Sequence, residues 1–273
     1  MSLSKYLHQQ VQSLMSQMSN DIDKHAQILN DIRQLVIHDN PKPRTQVIRF
    51  SVIKKLFKTI TDDAAFLNQI KPDSALLTEV CQLDNKIRDN RRLIDIDKAT
   101  IDQLLMYAAS DNVLQLFTFL LFVTGRRTNE LFGSKFINEK GSKLIKMIGV
   151  SKRKPTDDDW CNFTPLISKT RFFDLYRRYK RIQTYANQQA FHKALSRFIT
   201  REFKHRQYHP HTFRGIYIHY LYKFHNHNKL KINTFIMNHL HHQCIQTSLN
   251  YTQYHINNDI DTDIVAKHFH HTQ

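Results

Sequence analysis

The sequence predicts a mainly α-helical protein with a small β-hairpin, an α+β fold built from two domains. Three observations predict it. Apolar residues recur at three- and four-residue intervals along most of the chain, one segment changes to the short apolar runs of strands, and a polar stretch separates the two parts. At 273 residues, 41% of them hydrophobic, the chain is long enough to build a substantial core.

Residues 1–92 are predicted to form a small helical N-terminal domain. Pro41 and Pro43 interrupt the apolar pattern between its second and third helices. The polar stretch at 84–97 has no clear period and is predicted to be the linker to a second domain, 93–273. The apolar spacing predicts four helices in the first domain, across residues 7–18, 22–36, 47–60 and 74–80.

The second domain is predicted to begin with a buried helix at 114–122. Gly125 permits a turn after it, and a new helix is expected to start at Thr128. That start places Arg127 beside free helical amide groups, where a guanidinium and the helix terminus together favour a phosphate. Alone, such an arginine is more often an ordinary surface residue in a loop.

A β-hairpin with a basic tip is predicted across 143–167. Its first strand runs from Leu144 to Val150, its second from Phe163 to Ile167, and the turn carries Lys152. Two aromatic-rich helices follow, and the tail at 253–273 is predicted to form an amphipathic helix. That helix is expected to pack either on its own domain or on a neighbouring protomer.

Four residues near the C-terminus have the chemistry to cut a phosphodiester. A helix starting after Pro210 brings His211 and Arg214, three residues apart, onto one face. His242 lies nine residues before Tyr251. Phosphate-binding cations and proton carriers therefore precede a phenol that can act as a nucleophile.

Net charge predicts a polyanionic partner. The chain carries a net charge of +16 with 40 Lys and Arg against 24 Asp and Glu. Residues 1–95 contribute 14 basic against 11 acidic side chains, so most of the excess lies beyond them. Between Ser168 and Lys231 there are 15 basic side chains and two acids, which favours contact with DNA or RNA.

Composition also argues against export and membrane insertion. The longest apolar stretch, Leu114 to Val123, is far shorter than the ~20 residues that span a bilayer. The N-terminus has no signal-peptide pattern, and three widely spaced cysteines give no disulfide framework. We therefore expect a reducing compartment: a prokaryotic cytoplasm or nucleoid, a nucleus, or a viral replication site.

Several short segments resemble the motifs of the tyrosine recombinases, the phage-integrase-like site-specific recombinases. GRRTNEL at 125–131 resembles their G-x-R-x-x-E-L motif, and PHTFR at 210–214 resembles their H-x-x-R motif. LHH at 240–242 and TSLNYT at 247–252 are similar to their L-G-H segment and nucleophile motif. The resemblance covers roughly 96–255, and it implies six catalytic residues: Arg127, Lys152, His211, Arg214, His242 and Tyr251.

The resemblance also implies a mechanism and an architecture. Tyr251 attacks the scissile phosphorus, Arg127 and Arg214 hold the non-bridging oxygens, and a covalent 3′-phosphotyrosyl link stores the bond energy without ATP, metal or other cofactor. His242 donates a hydrogen bond, His211 accepts or orients a proton, and Lys152 protonates the leaving oxygen. The implied architecture is a tyrosine-recombinase/type IB topoisomerase-like catalytic domain behind a core-binding-like helical domain.

Some assignments stay open at this stage. Lys154 competes with Lys152 for the hairpin role, His241 stands where the family usually has glycine, and Tyr254 is a second tyrosine near the nucleophile. The expected partner is double-stranded DNA, bound by a homo-tetramer, with accessory DNA-bending proteins in some systems.

The leading expectation is a site-specific recombinase or integrase, and four alternatives stand beside it. A type IB topoisomerase is disfavoured by the histidine three residues before Arg214. A hairpin-forming telomere resolvase keeps the same residues, but the small N-terminal domain argues against a large one. A DNA-binding or packaging protein without turnover and a histidine-rich metal protein are the remaining two.

Overall fold

The computed structural model describes ten stretches of the chain: residues 3–18, 22–40, 42–89, 93–149, 158–204, 208–226, 229–240, 248, 251–261 and 264–265. The chain divides into two compact units, Met1–Arg91 and Arg92–Gln273. In the described part of the chain, helices are too short or too polar to cross a membrane.

The first unit is helical. Pro43 occupies the first turn of its third helix, where the missing N–H costs nothing, so this proline starts a helix. Its core is a separate cluster that includes Leu7, Ile32, Phe50 and Phe57. The helices are α1 (Lys5–Ser16), α2 (Ile22–Asp39), α3 (Pro43–Phe57), α4 (Ala64–Gln69) and α5 (Ser74–Asp89).

The second unit is built around a central helix, α7, that is apolar on nearly every side. It packs against α6, α9, α10 and α11, and this many-sided burial explains the almost continuous apolar run from Leu116 to Val123. The helices are α6 (Lys98–Tyr107), α7 (Val113–Thr124), α8 (Thr128–Gly133), α9 (Lys169–Ile182), α10 (Gln188–Glu202), α11 (Thr212–His225) and α12 (Ile232–Leu240).

Two small sheets complete the second unit. Strands β2 (Lys135–Ile137), β3 (Ile145–Ile148) and β4 (Trp160–Phe163) form an antiparallel sheet in that order. Strand β1 (Ile94–Ile96) pairs in parallel with β5 (Tyr254–Ile256), with Ile94 opposite Tyr254. The predicted hairpin exists, but its second strand is Trp160–Phe163 and shares only Phe163 with the expected 163–167. A third strand, β2, pairs with the other side of β3.

Two sequence-based expectations are wrong. The stretch 84–97 is not one linker, because α5 continues to Asp89 and Ile94–Ile96 forms a strand. The tail does not begin as a helix, because Tyr254–Ile256 forms β5, and Ile260 and Val265 are buried in the core of their own unit. The described part of the tail therefore packs within its own chain.

Candidate active site

Arg127 stands at the start of α8, as predicted. Gly125 ends α7 in the left-handed conformation, with φ +60°, and a side chain there would overlap the ring of Tyr217. The main-chain N–H of Arg127 donates to Glu130 Oε2 at 2.9 Å, and its Nη1 donates to Glu130 Oε1 at 2.7 Å. The tight turn and this paired contact fix the guanidinium at the helix start.

Glu130 is a buried anion at the centre of three arginines. Burial by itself raises its pKa, but the charges of Arg126, Arg214 and Arg127 outweigh burial and hold the pKa below its usual value. The carboxylate is therefore ionised at neutral pH. One anion facing three cations leaves the cluster with a net positive charge.

The two adjacent arginines have different surroundings. Arg126 is buried: its Nε donates to the Thr124 carbonyl at 3.2 Å, its Nη2 to the His239 carbonyl at 3.3 Å, and it lies over the ring of Phe163. The side chain of Arg127 is 21% exposed. Solvent therefore reaches the guanidinium of Arg127, whereas that of Arg126 is enclosed by its own unit.

Arg214 is a fully buried cation on α11. Its Nη1 donates to the Gly125 carbonyl and its Nη2 donates to the Leu240 carbonyl at 2.9 Å, so it ties α7 and α12 together. Burial, with the nearby charge of Arg126, lowers its pKa to about 10, which leaves it protonated at neutral pH. Its Nε is buried without an acceptor in the described part of the chain, a costly arrangement that an anion would relieve.

The phenol of Tyr251 meets His211 of the same chain. Tyr251 Oη lies 2.6 Å from His211 Nε2, and the two residues are 40 positions apart in sequence. His211 is the N-cap residue of α11, so Arg214 follows it within the first turn. Through α11, the predicted nucleophile, proton acceptor and second arginine come together.

Tyr251 is held as a neutral phenol. Burial raises its pKa, while the positive charge of Arg214, a hydrogen bond to it and the charges of Arg127 and Arg126 act in the opposite direction. A phenol with a raised pKa needs a base to become a nucleophile, and His211 lies within reach. Tyr254 has a different position: it lies in β5 with its ring against Gly215.

Two of the six predicted residues, Lys152 and His242, lie outside the described residues. The described residues on either side of Lys152, and those before His242, belong to strands and a helix of the second unit. Strands β3 and β4 pair from Ile145 opposite Phe163 to Ile148 opposite Trp160, and they flank the segment that contains Lys152. Leu240, two residues before His242, is the residue whose carbonyl accepts from Arg214.

Sequence reasoning missed two residues of this region. Glu130 was part of the motif that carried the resemblance, but it was not assigned a role, although its spacing from Arg127 is that of a capping box. His219 contacts the main-chain carbonyl of Tyr251. Every residue has such a carbonyl, so the sequence gives no signal for this contact.

Comparisons with known proteins give a structural answer only. No family model matches the chain, and no curated protein matches it by sequence. Among solved structures, a variant of protelomerase TelA covalently complexed with substrate DNA superposes with a TM-score of 0.79 at 16% identity, covering 95% of this chain and 91% of that one. A TelA variant complexed with DNA hairpin product has a TM-score of 0.78 at 15% identity, covering 97% and 93%.

The chain has the protelomerase fold. Protelomerase TelK complexed with substrate DNA is also similar, with a TM-score of 0.61 at 15% identity, although this chain covers only 60% of that one. The predicted fold class, mainly helical with small sheets, is confirmed, and the fold is that of the matched protelomerase structures. The matched TelA chains are of similar length to this one, since the match covers more than nine tenths of both.

Proposed function

We propose that this protein cleaves and rejoins DNA strands through a covalent 3′-phosphotyrosyl intermediate on Tyr251. The observation that carries the proposal is the contact between Tyr251 Oη and His211 Nε2, 2.6 Å long, beside the buried guanidinium of Arg214. A phenol that contacts a general base and lies beside a positively charged cluster is suited to attack a phosphodiester. The shared fold and the six motif residues support the same reaction.

In the first step Tyr251 attacks the scissile phosphorus. The bond from the phenolic oxygen to phosphorus forms, the bond to the 5′ oxygen breaks, and the phenolic proton passes to His211. Arg127 and Arg214 hold the non-bridging oxygens, whose charge grows in the transition state. In the reverse step a 5′-hydroxyl attacks the phosphotyrosyl link, so the DNA is sealed without ATP, metal or other cofactor.

Lys152 and His242 complete the proposed set. We assign Lys152 to protonating the leaving 5′ oxygen and His242 to donating a hydrogen bond to a non-bridging oxygen. Lys154 is the alternative for the lysine role. Lys152→Ala and Lys154→Ala are compared on a substrate with a 5′-bridging phosphorothioate, whose sulfur leaves without needing a proton. This substrate restores cleavage only to the variant that lacks the general acid, so it decides between the two lysines.

The proposed partner is double-stranded DNA. Two functions are compatible with the proposed reaction, and they differ in which DNA strands the enzyme joins. A site-specific recombinase or integrase joins strands from two duplexes, in a tetramer and in some systems with accessory DNA-bending proteins. A telomere resolvase joins the two strands of one duplex end into a hairpin. The TelA likeness over both units, including a complex with a DNA hairpin product, favours the hairpin version.

Covalent capture on DNA tests the proposal. Nicked duplexes from the DNA that flanks the gene are incubated with wild-type protein, Tyr251→Phe and Tyr254→Phe, and protein–DNA adducts are resolved on denaturing gels. We expect adducts with wild type and Tyr254→Phe and none with Tyr251→Phe, while all three bind the duplex alike. Adduct that persists in Tyr251→Phe contradicts the assigned nucleophile, and binding without adduct on every duplex favours a DNA-binding protein without turnover.

A second measurement identifies the product. Intact duplexes that yield an adduct are incubated and analysed on denaturing gels, where a hairpin runs as one strand of the combined length. Strand exchange instead produces labelled recombinants from two duplexes, and a topoisomerase relaxes supercoiled DNA without either product.

A further inference from the structure

One face of α11 contacts the segment from Tyr251 to Asn257 at several points. Four residues of this helix stand at intervals of four, so they lie on the same face. They are His211, Gly215, His219 and Lys223. The first contacts the phenol of Tyr251, as described above, and the other three contact the main chain or a ring of the same segment.

Each of these three makes a different contact. Gly215 leaves space for the ring of Tyr254, which a side chain at that position would overlap. His219 Nε2 lies 2.5 Å from the main-chain carbonyl oxygen of Tyr251. Lys223 Nζ donates to two further carbonyls, Ile256 at 2.9 Å and Asn257 at 2.7 Å.

We infer that His219 is a positioning residue for the nucleophile, acting through the main-chain carbonyl of Tyr251. This inference rests on the proposed role of Tyr251. A carbonyl oxygen only accepts hydrogen bonds, so the imidazole must carry a proton on Nε2 and donate it. His219 is buried, and it touches the nucleophile's own backbone at the residue that must not shift.

Geometry explains why this contact matters for rate. The phenolic oxygen stands at the far end of a rigid ring, so a small rotation of the Tyr251 backbone moves it farther than it moves the carbonyl. A displacement of about 1 Å from the reactive geometry costs roughly 100-fold in rate. Loss of the His219 contact therefore slows attack without removing any group that touches DNA.

The positioning role is tested with a pair of substitutions at His219. His219→Gln keeps an amide N–H donor at a similar reach, whereas His219→Leu keeps bulk and removes the donor. Tyr107→Phe is the matched control, because it removes the hydroxyl of a buried ring in the same unit, one that lies 2.9 Å from Gln103 and 3.4 Å from Glu202 on α6 and α10. All variants are compared with wild type on one nicked duplex that gives the covalent adduct.

We expect His219→Leu to lower the rate constant of adduct formation by about 10- to 100-fold, with DNA affinity unchanged. His219→Gln recovers most of the rate, and Tyr107→Phe cleaves at the wild-type rate despite its lower stability. Equal rates for His219→Leu and wild type overturn the inference. So does a His219→Gln variant as slow as His219→Leu, because only the shape of the ring would then matter.

A measurement without DNA separates this inference from the proposed function. Nitrogen-15 NMR of the histidine ring in wild-type protein reports which nitrogen carries the proton. A proton on Nε2 of His219, coupled across a hydrogen bond to the Tyr251 carbonyl carbon, supports the positioning contact. A proton on Nδ1 alone overturns it, even where His219→Leu fails to fold or no duplex gives an adduct.

Discussion

Replacement of Glu130 by glutamine tests how much the catalytic unit depends on one buried anion. The substitution keeps the size of the side chain and leaves one oxygen to accept from the Arg127 main chain. It removes the negative charge that faces Arg126, Arg127 and Arg214, and it removes the 2.7 Å ion pair with Arg127 Nη1. Three guanidinium groups then lie close together without their common counter-ion.

The expected loss is large because the site is buried. Removal of one partner from a buried ion pair costs about 3–5 kcal/mol, and Glu130 is only 1% exposed. For a unit of this size that loss lowers the melting temperature by roughly 6–20 °C. Glu139→Gln is the matched control, because the pair that Glu139 forms with Lys146 is 3.5 Å long and partly exposed, so we expect a loss of only ~0–1 kcal/mol.

Urea unfolding followed by tryptophan fluorescence measures this difference in the catalytic unit alone. Trp160 is the single tryptophan of the chain and lies in β4, within that unit. A Glu130→Gln variant that loses less than about 1 kcal/mol, the same as Glu139→Gln, refutes the reasoning, because the three arginines would then need no buried anion.

The pH dependence of stability gives the same comparison independently. The folded pKa of Glu130 lies below its ordinary value of 4.5. Its contribution is therefore fully present above that value and is lost as the pH falls through the folded pKa. We expect Glu130→Gln to lack this part of the acid-induced loss that wild type shows, and equal acid slopes contradict it.

Three further predictions concern α11 and its contacts. Gly215→Ala forces a methyl group against the ring of Tyr254, so it lowers the free energy of unfolding by about 1–3 kcal/mol in urea titrations. Burial lowers the pKa of His219 below 6.5, so its stabilising contribution is present above pH 6.5 and is lost as the pH falls through the folded pKa. In urea titrations, His219→Gln therefore loses less stability than wild type as the pH is lowered from 6.5. Arg214→Lys replaces a two-armed contact to two carbonyls with one ammonium, so adduct formation falls at least ~100-fold while duplex binding, measured by anisotropy, is retained.

The sequence predicted those parts of the site that depend on local rules. Gly125 and the spacing of Arg127 from Glu130 mark a turn and a capped helix start, and the structure has both. His211 and Arg214 share the first turn of α11, which begins soon after Pro210. These features follow from backbone geometry within a few residues, which a sequence displays directly.

The features that the sequence did not predict depend on partners that are distant along the chain. Strand β1 has only three residues, and its partner β5 lies about 160 positions later, so neither shows an alternating pattern long enough to read. His219 lies in an aromatic run that indicates only a buried helix, and its partner is a main-chain carbonyl. Contacts of this kind are set by how the helices pack, and residue types do not encode them locally.

The pairing of β1 with β5 joins the main chain just after Tyr251 to the first strand of the second unit. The main-chain N–H of Ile94 donates to the carbonyl of Gln253 at 2.7 Å, two residues beyond Tyr251. A second main-chain hydrogen bond, from the N–H of Asn257 to the carbonyl of Ile96 at 3.0 Å, closes the other end of the pairing. The main chain that follows Tyr251 is therefore held at both ends of β5 by a strand about 160 positions earlier in the sequence.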